Sequence, residues 1–258
     1  MISEKNVQQW FDSSLGQYLI EHEHCYFDQV VVNIFGYNAV QIGWPQFNFL
    51  RLNRMSLHFS VGLESQASLR AAAGYLPIQS SSIDLVVLPH VLEFSTNPHQ
   101  ILREVHRILI PEGHIVISGF NPLSLWGACH YLNSTRREFP WNGNFIALSR
   151  LKDWLKLLDF EMAGGRLSCY TPPFKHERWR RRLGFMEAAG DRWWPISGGV
   201  YFLHAIKHMH GMRIIRPGWK NCLDAKKRMV PATQKNNEIS SDERPPNNFN
   251  QMDDLNKR

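Results

Sequence analysis

One stretch of the chain, NAVQIGWPQFNFL, places a glycine where nucleotide-binding chemistry would use one. The apolar residues that end at Ile42 predict a strand, and Gly43 breaks this strand into a loop. Loops of this kind bind cofactors through backbone N–H groups and usually carry three glycines, which allow a close approach. Here the positions that would hold small residues are taken by Trp44, Pro45 and Phe47. The loop is therefore a modified cofactor loop or a plain tight turn.

Helix and strand patterns alternate along the chain and would position this loop. Residues 5–24 have the apolar spacing of an amphipathic helix, and the apolar run Leu85–Leu88 is typical of a strand buried on both faces. Further strands are predicted at 39–43 and 56–61 and in HIVISGF, FEMAGGRLS and GGVYFLHAIKH. This alternation predicts an α/β fold whose mostly parallel sheet is covered by helices on both faces. Ligands of such sheets bind at the carboxyl ends of the strands.

Two further helices carry signals at their ends. In TNPHQILREVHRILIPEG, Thr96 or Asn97 can cap the helix, Pro98 suits its first position, and Pro111 would stop it. In LSRLKDWLKLLDF the predicted cap is Ser149. Both stretches have an apolar stripe at helical spacing, so we expect each to pack against the sheet.

The composition is that of an ordinary globular protein, and it restricts the chemistry. The chain has 258 residues, of which 43% are hydrophobic and 20% are charged, enough for a sizeable core. Its four cysteines are scattered without a CxxC pair, and no histidine spacing matches a metal site. We therefore predict no zinc cluster, no disulfide framework and no bound metal. The net charge of +6 permits contact with nucleic acid or an anionic membrane surface without requiring either.

The sequence also predicts the location and the domain organisation. The N-terminus lacks the pattern of a signal peptide, and no apolar run approaches the roughly 18 residues of a transmembrane helix, so we expect a cytoplasmic protein. The predicted parts are a helical extension (1–30), a main domain (31–210) and a mostly disordered polar tail (211–258). Within the main domain, residues 167–198 are interpreted as an inserted segment rich in basic and aromatic residues.

The segment 76–123 resembles the central block of the class I S-adenosylmethionine-dependent methyltransferases of type 11, the UbiE-like group. It reads LPIQSSSIDLVVLPHVLEFSTNPHQILREVHRILIPEGHIVISGFNPL. The family typically has LPF and FDLVV, then a helix similar to LLREAARVLKPGG and a strand LVIS. The matching residues are Leu76-Pro77, Asp84, Val91-Leu92, Leu102-Arg103-Glu104, Arg107, Leu109, Pro111, Gly113 and Ile117-Ser118. Looser similarity extends over residues 30–207, and ISGFNPLSLWG is most similar to bacterial members.

The resemblance implies a Rossmann-like class I methyltransferase fold with a mostly parallel seven-stranded sheet, and S-adenosylmethionine as the cofactor. By position, the loop at Gly43 corresponds to the family's first cofactor motif, usually LDIGCGTG. Gln41 replaces the Asp of that motif, and Pro45 and Phe47 replace its second and third glycines. Glu64, 21 positions after Gly43, corresponds to the carboxylate that binds the ribose hydroxyls.

The adenine-binding part departs further from the family. Ala72 stands where the family has the Asp that binds the adenine amine, and Tyr75 stands at a second acidic position. Only twelve positions separate Glu64 from Leu76, where the family has a helix and a strand. We therefore expect the cofactor half of the fold to be shortened.

These correspondences predict the residues of a site. The cofactor-binding candidates are Gly43, Trp44, Glu64, Tyr75, Leu76, Leu88 and Pro89. The substrate-binding candidates are His90, Asn121 and Trp179. His90 is also the candidate general base, since histidine titrates near neutral pH, but it could equally shape the site. Asn121 and Pro122 could instead start a helix.

The inserted segment and the function leave alternatives open. HERWRRR and its neighbouring tryptophans could form a lid, a partner-binding site, a membrane contact, a structural cover or an RNA site. The leading expectation is methyl transfer to a small molecule by a monomer; the alternative is a non-catalytic scaffold that binds a partner through this segment. An RNA methyltransferase would need a motif such as NPPY, whereas Pro122 is followed by Leu123, so nucleic acid is not an expected partner.

Overall fold

The computed structural model describes residues 4–132, 139–173, 187, 190, 192 and 196–208, with the side chains of residues 4–6 left out. The helices are α1 (Glu4–Phe11), α2 (Ser14–Val31), α3 (Pro98–Ile108), α4 (Leu125–Leu132) and α5 (Leu148–Leu157). The strands are β1 (Asn38–Ile42), β2 (Leu57–Gly62), β3 (Leu69–Arg70), β4 (Ile83–Pro89), β5 (Leu109–Phe120), β6 (Phe160–Ser168) and β7 (Val200–Lys207). The described residues belong to one structural unit, 1–211; the second unit, 212–258, and with it the predicted disordered tail, lies outside the described residues.

The strands form one seven-stranded sheet in the order β3-β2-β1-β4-β5-β7-β6. The five strands from β3 to β5 pair in parallel, whereas β7 pairs antiparallel with both β5 and β6. In the centre Val40 of β1 pairs with Phe59 of β2 and Val86 of β4. Because these strands run in the same direction, their carboxyl ends meet at one edge of the sheet. The predicted α/β class and mostly parallel sheet are confirmed.

Both faces of the sheet are buried, as the apolar run in β4 predicted. Leu85 and Val87 pack in the cluster formed with α1 and α2, while Val86 and Leu88 pack in the cluster formed with α3 and α5. All four side chains are fully buried. Alternate residues of a strand point to opposite faces, so a run of four apolar residues satisfies both layers at once.

The predicted N-terminal helix is divided into α1 and α2. Ser13 interrupts it, and its hydroxyl accepts a hydrogen bond from the N–H of Gly16, which caps α2. The buried stripe of α2 includes Leu19 and Phe27, both fully enclosed against the sheet. These two helices therefore cover one face of the sheet. Within the described part of the chain, every helix is too short or too polar to span a bilayer.

The cofactor half of the sheet is short, as predicted. Residues 32–97, all of which are described, contain four strands and no helix. Arg107 of α3 stabilises the long connection to β4 by donating to the carbonyls of Leu76 and Ile78, both at 2.9 Å. The connection itself therefore packs against α3.

The helix ends test the predicted caps. Pro98 occupies the first turn of α3, and Asn97 holds the cap position without a side-chain hydrogen bond. The prediction of Ser149 as the cap of α5 is wrong: the helix begins at Leu148, and Ala147 is the capping residue. The carbonyl of Ala147 already accepts from the N–H of Leu151, which is fully buried, so core packing sets where this helix starts.

Candidate functional site

The predicted cofactor loop follows β1 at the carboxyl edge of the sheet. Gly43 has a φ of +84°, a left-handed conformation that favours glycine, and its N–H donates to the carbonyl of Val61 at 2.7 Å. The next residue, Trp44, also has a positive φ, of +46°. The loop is therefore a tight turn linked to the end of β2.

The side-chain amide of Gln41 organises this loop from inside. Its Nε2 atom lies 3.1 Å from the carbonyl oxygen of Gly43, 3.0 Å from that of Trp44 and 2.7 Å from that of Phe47. Its Oε1 atom accepts from the N–H of Phe49 at 3.0 Å. Gln41 is 2% exposed, so the residue that replaces the family's Asp uses its polar atoms within the loop. An Asp, with acceptors alone, could not donate to these carbonyls.

Glu64 lies just beyond β2 with one carboxylate oxygen unpaired. The Oε2 atom is buried and has no hydrogen-bond partner. It lies where a Cβ atom on Gly62 would come within 2.3 Å, so glycine at that position lets the carboxylate fold back against the strand end. A buried carboxylate oxygen without a donor is costly. A ribose diol would supply the missing donors, so the residues at this end fit an adenosine group.

The side of the loop that faces β4 is closed. A Cβ atom on Gly43 would lie 2.6 Å from Cγ2 of Val91, so the loop is in direct contact with the segment after β4. Trp44 is 8% exposed, and its ring stacks on the imidazole of His90 with centroids 5.2 Å apart. A methionine chain between these two loops would need this space. The residues therefore fit the adenosine end of S-adenosylmethionine and fill the methionine end.

His90 is enclosed between two carboxylates. Its Nδ1 atom lies 2.9 Å from Oε2 of Glu93, and its Nε2 atom lies 2.8 Å from Oε1 of Glu23 in an ion pair that is not aligned as a hydrogen bond. Glu23 also accepts from the hydroxyl of Ser118 at 2.8 Å, and Glu93 accepts from the N–H of Phe120. The cluster joins α2 to the ends of β4 and β5 across the buried face.

The protonation state of His90 in this cluster does not suit a general base. Burial lowers the pKa of His90, but the charges of Glu23 and Glu93 outweigh burial and raise the pKa to about 9. Burial also raises the pKa of Glu93. At neutral pH His90 is therefore a cation without a free lone pair, and its side chain is fully buried. The expectation that His90 acts as a general base or contacts substrate does not fit this geometry.

The remaining cofactor candidates are placed differently from one another. Tyr75 is 76% exposed, so it could contact a ligand only from the rim. Leu76 is buried, and its N–H donates to Glu104 at 3.1 Å. Leu88 and Pro89 end β4 within the core. Of these four, Tyr75 alone presents its side chain to solvent.

Asn121 shapes the end of β5 and does not start a helix. Its Nδ2 atom donates to the carbonyls of Ile196 and Gly198, at 2.8 and 3.0 Å, and its Oδ1 atom accepts from the N–H of Leu123. The helix begins later, at Leu125. The interpretation of Asn121 and Pro122 as a helix start is therefore wrong, because the carboxamide is used to fix two loops.

Most of the inserted segment, including Trp179, lies outside the described residues. Its first two residues, 167 and 168, belong to β6, which ends at Ser168 as the predicted strand FEMAGGRLS does. Glu187 accepts from the hydroxyl of Tyr18 and from both the N–H and the hydroxyl of Thr171. It therefore links this segment to α2, and burial, together with the carboxylate of Glu187, raises the pKa of Tyr18.

Sequence reasoning missed Glu23. The residue lies at helical spacing between Leu19 and Phe27, and all three side chains are fully buried. A carboxylate in an apolar stripe is a signal of a buried charged partner, and it could have predicted the ion pair. Its partner was not readable, because His90 is 67 positions away in sequence.

Two surface depressions lie elsewhere, along α5 and β6, and Lys152 and Met162 line both of them. Neither depression reaches the carboxyl ends of β1 and β4. Among the described residues no group of three or more metal-ligating side chains comes together. The predicted absence of a metal stays a prediction.

Known proteins share this architecture. An S-adenosylmethionine-dependent methyltransferase from Thermotoga maritima superposes with a TM-score of 0.56 at 17% identity, over 79% of this chain and 95% of that one. A geranyl diphosphate C-methyltransferase from Streptomyces coelicolor gives 0.52 at 12% identity, over 72% and 79%. The chain has the class I methyltransferase fold. At these identities the likeness shows the fold alone.

Sequence comparison agrees with this methyltransferase fold. Residues 53–117 match the family model described as a methyltransferase domain of type 11, which confirms the predicted resemblance. YafS, an uncharacterised protein of Escherichia coli, is 43% identical over 102 residues, which are 40% of this chain and 42% of YafS. MJ1123 of Methanocaldococcus jannaschii is 28% identical over 86 residues, or 33% and 42%. The matched part thus spans about two fifths of each curated relative, and the UbiE-like subgroup stays a prediction.

Proposed function

We propose that this protein is an S-adenosylmethionine-dependent methyltransferase that acts on a small molecule. The observation that carries this proposal is the unpaired, buried Oε2 atom of Glu64 next to the Gly43 loop. In a class I methyltransferase fold this is the edge at which an adenosine group would bind. The match of residues 53–117 to a methyltransferase domain supports the same conclusion.

The chain's own residues would bind and orient rather than exchange protons. S-adenosylmethionine supplies an electrophilic methyl group when it is bound. Glu64 would accept hydrogen bonds from the ribose hydroxyls, and the Gly43 loop would set the position of the adenosine. Aligning two reactants and excluding water can provide much of a rate enhancement without a base. The cationic, buried state of His90 is therefore compatible with this function.

Trp44 must move for the whole cofactor to bind. Its ring takes the place between the β1 and β4 loops that the methionine group needs, and it also contacts Phe11 of α1, with ring centroids 4.6 Å apart. The proposal therefore requires a second position of the Trp44 loop. This makes affinity for S-adenosylmethionine sensitive to a residue that does not itself bind the adenosine.

The second candidate function is a non-catalytic scaffold on the same fold. The closed contact between Gly43 and Val91 favours it, because a packed loop leaves no room for the methyl-bearing part of the cofactor. In this case a partner would bind elsewhere, for example at the basic and aromatic insertion, residues 167–198. Cofactor binding separates the two candidates.

Calorimetry with three ligands tests the proposal. The purified chain is titrated with S-adenosylmethionine, S-adenosylhomocysteine and adenosine. The Glu64→Ala substitution should weaken the binding of all three ligands by about tenfold or more, since a hydrogen bond to a charged group contributes about 1.5–3 kcal/mol. Glu161→Ala is the matched control, because Glu161 is an exposed carboxylate on β6 at the other side of the sheet.

The outcomes are distinct. Binding of S-adenosylhomocysteine tighter than adenosine, weakened by Glu64→Ala and unchanged by Glu161→Ala, supports the methyltransferase. Adenosine binding without a gain from the methionine group would restrict the site to a nucleoside. No heat and no thermal stabilisation by any of the three ligands would reject the cofactor site and favour the scaffold.

A further inference from the structure

Strand β6 forms one end of the sheet and has an exposed outer edge. Among the described strands it pairs with β7 alone, and it is nine residues long. Residues 163–166 are all exposed, and so is Glu161. An edge strand presents backbone N–H and C=O groups that can pair with one more strand. The outer edge of β6 can therefore accept another strand, and its side chains indicate which strand fits.

A β-bulge decides which residues of β6 share a face. The pairing of β6 with β7 shifts by one residue at Ala163. Glu161 and Arg166 consequently pair with β7 residues that lie four positions apart, so both side chains point to the same face of the sheet. In a regular strand, two residues five positions apart would point to opposite faces.

The opposite charges of Glu161 and Arg166 cannot meet within one chain. Four steps of about 3.3 Å along the ladder place them about 13 Å apart. Neither side chain has an ion-pair partner among the described residues. A second β6 strand that runs antiparallel to the first would bring the carboxylate of each copy opposite the guanidinium of the other.

We propose that two copies of this chain dimerise through the outer edges of β6. A twofold axis perpendicular to the sheet would pass through Gly164, which would then lie opposite itself. Along the ladder with β7, Glu161 lies two steps before Gly164 and Arg166 lies two steps after it. The same axis therefore forms two charged pairs, and opposite charges on directly facing residues stabilise a strand pair. Such a dimer would replace the monomer expected from the sequence.

The sizes of the side chains on β6 are self-complementary as well. Met162 and Gly165 lie one step on either side of Gly164, so the axis would place Met162 of each copy opposite Gly165 of the other. Gly165 lines a depression of about 320 Å³ beside α5, together with Leu148 and Lys152. A methionine side chain is flexible and can fill an irregular space of this kind. On the axis itself, a Cβ atom on Gly164 would meet nothing within 4 Å.

The opposite end of the sheet offers no comparable edge in the described structure. It is formed by β3, which has only the two residues Leu69 and Arg70. Very short edge strands are one way in which proteins avoid pairing with another chain. The length and the charge pattern therefore both assign the interface to β6.

An exchange of the two charges in the full chain tests the proposal. Sedimentation velocity measures the dimer dissociation constant for the wild type, for Arg166→Glu, for Glu161→Arg and for the double variant. Arg166→Glu would place like charges opposite each other in both pairs, so the constant should rise by about tenfold or more. The double variant should restore the dimer, and an equal mixture of the two single variants should form a mixed dimer. Arg54→Glu is the matched control, because Arg54 is exposed in the loop before β2.

A cysteine at Gly164 tests the position of the axis. Directly opposite residues of an antiparallel pair have Cα atoms about 4.5–5.5 Å apart, a distance that a disulfide bridges. Mild oxidation should therefore link two copies of the Gly164→Cys variant. Leu157→Cys, exposed at the end of α5, is the control, and the wild type measures any linkage through the native cysteines.

Each outcome decides the proposal. A wild type that stays monomeric up to about 100 μM would overturn it. A dimer that Arg166→Glu weakens no more than Arg54→Glu, or the absence of a cross-link in Gly164→Cys, would also overturn it. Circular dichroism and thermal unfolding check that the variants fold. Because β6 and the Gly43 loop lie on different sides of the sheet, monomeric variants should still bind cofactor ligands as the wild type does, so this proposal and the proposed function fail separately.

Discussion

The indole ring of Trp44 lies almost parallel to the imidazole ring of His90, with an angle of 14° between the planes. Phe120 packs on His90 as well, with centroids 4.1 Å apart. The imidazolium is thus held between aromatic rings while two carboxylates bind its nitrogens, an arrangement that combines ion pairing with cation–π attraction. Trp44 of the cofactor loop therefore packs directly on His90, the residue that follows β4.

Replacing Trp44 with alanine should separate stability from cofactor binding. Removal of a buried indole should lower the free energy of unfolding by about 3 kcal/mol or more. The freed space should at the same time increase the affinity for S-adenosylhomocysteine, because the methionine group no longer competes with the ring. Urea unfolding and calorimetry measure the two effects.

The control for this variant is Trp154→Ala. Trp154 lies on α5 beneath Arg150, so its loss removes an indole that is remote from the cofactor loop. Equal or weaker ligand binding in Trp44→Ala, with Trp154→Ala unchanged, would show that Trp44 does not close the site.

Alanine at Gly43 should destabilise the protein for two separable reasons. The positive φ is strained for any residue with a Cβ atom, and that atom would collide with Val91. We expect a loss of about 1–3 kcal/mol in urea unfolding. In the double variant Gly43→Ala with Val91→Ala the collision is relieved, so the two changes should be non-additive. Simple additivity would mean that the loop does not contact Val91.

The His90 cluster should make the protein less stable as the pH rises. The pKa of His90 is raised from 6.5 to about 9 in the folded state, so its stabilising charge is fully present below pH 6.5 and is lost as the pH passes 9. The raised pKa of Glu93 also makes the folded state less stable as the pH rises. The free energy of unfolding should fall by about 3 kcal/mol across this interval. His90→Gln should be less stable than wild type at neutral pH and should lack most of this slope. A wild-type stability that rises through the interval would contradict the ion pair.

A pair of histidines on β5 and β7 should make the protein less stable at acid pH. Nδ1 of His114 lies 3.0 Å from Nε2 of His204, and burial, with the charge of His114, lowers the pKa of His204 from 6.5 to about 4. The contribution of this neutral pair to the free energy of unfolding is present above pH 6.5 and is lost as the pH falls through 4. Since the pair is only partly buried, we expect about 1 kcal/mol. Urea unfolding of His204→Gln should show a smaller acid loss, whereas exposed His58→Gln should match the wild type.

The central part of the fold could be predicted because its signals are local. The apolar run from Leu85 to Leu88 is the buried centre of β4, and Pro98 begins α3 as expected. The order of strands and helices in that half then indicated the class of sheet. The single helix predicted at 5–24 became two because the Ser13 hydroxyl caps a second start.

The errors have a common cause in contacts that join distant residues. Ser149 has the chemistry of a cap, but burial of Leu151 starts α5 two residues earlier, with Ala147 at the cap position. Asn121 is a residue type that often caps a helix, but its carboxamide forms hydrogen bonds with residues about 75 positions away. Side-chain hydrogen bonds of this range cannot be read from local patterns.

The sequence by itself determined the α/β class, the parallel centre of the sheet and the place of the loop at Gly43, because apolar periodicity and glycine act on neighbouring residues. The tertiary structure alone decided the state of that loop. It brought Gln41 under the loop carbonyls, Val91 against Gly43, and Glu23 onto His90. Each of these contacts depends on the direction of a side chain in the folded core, and that direction is set only when the strands and helices pack together.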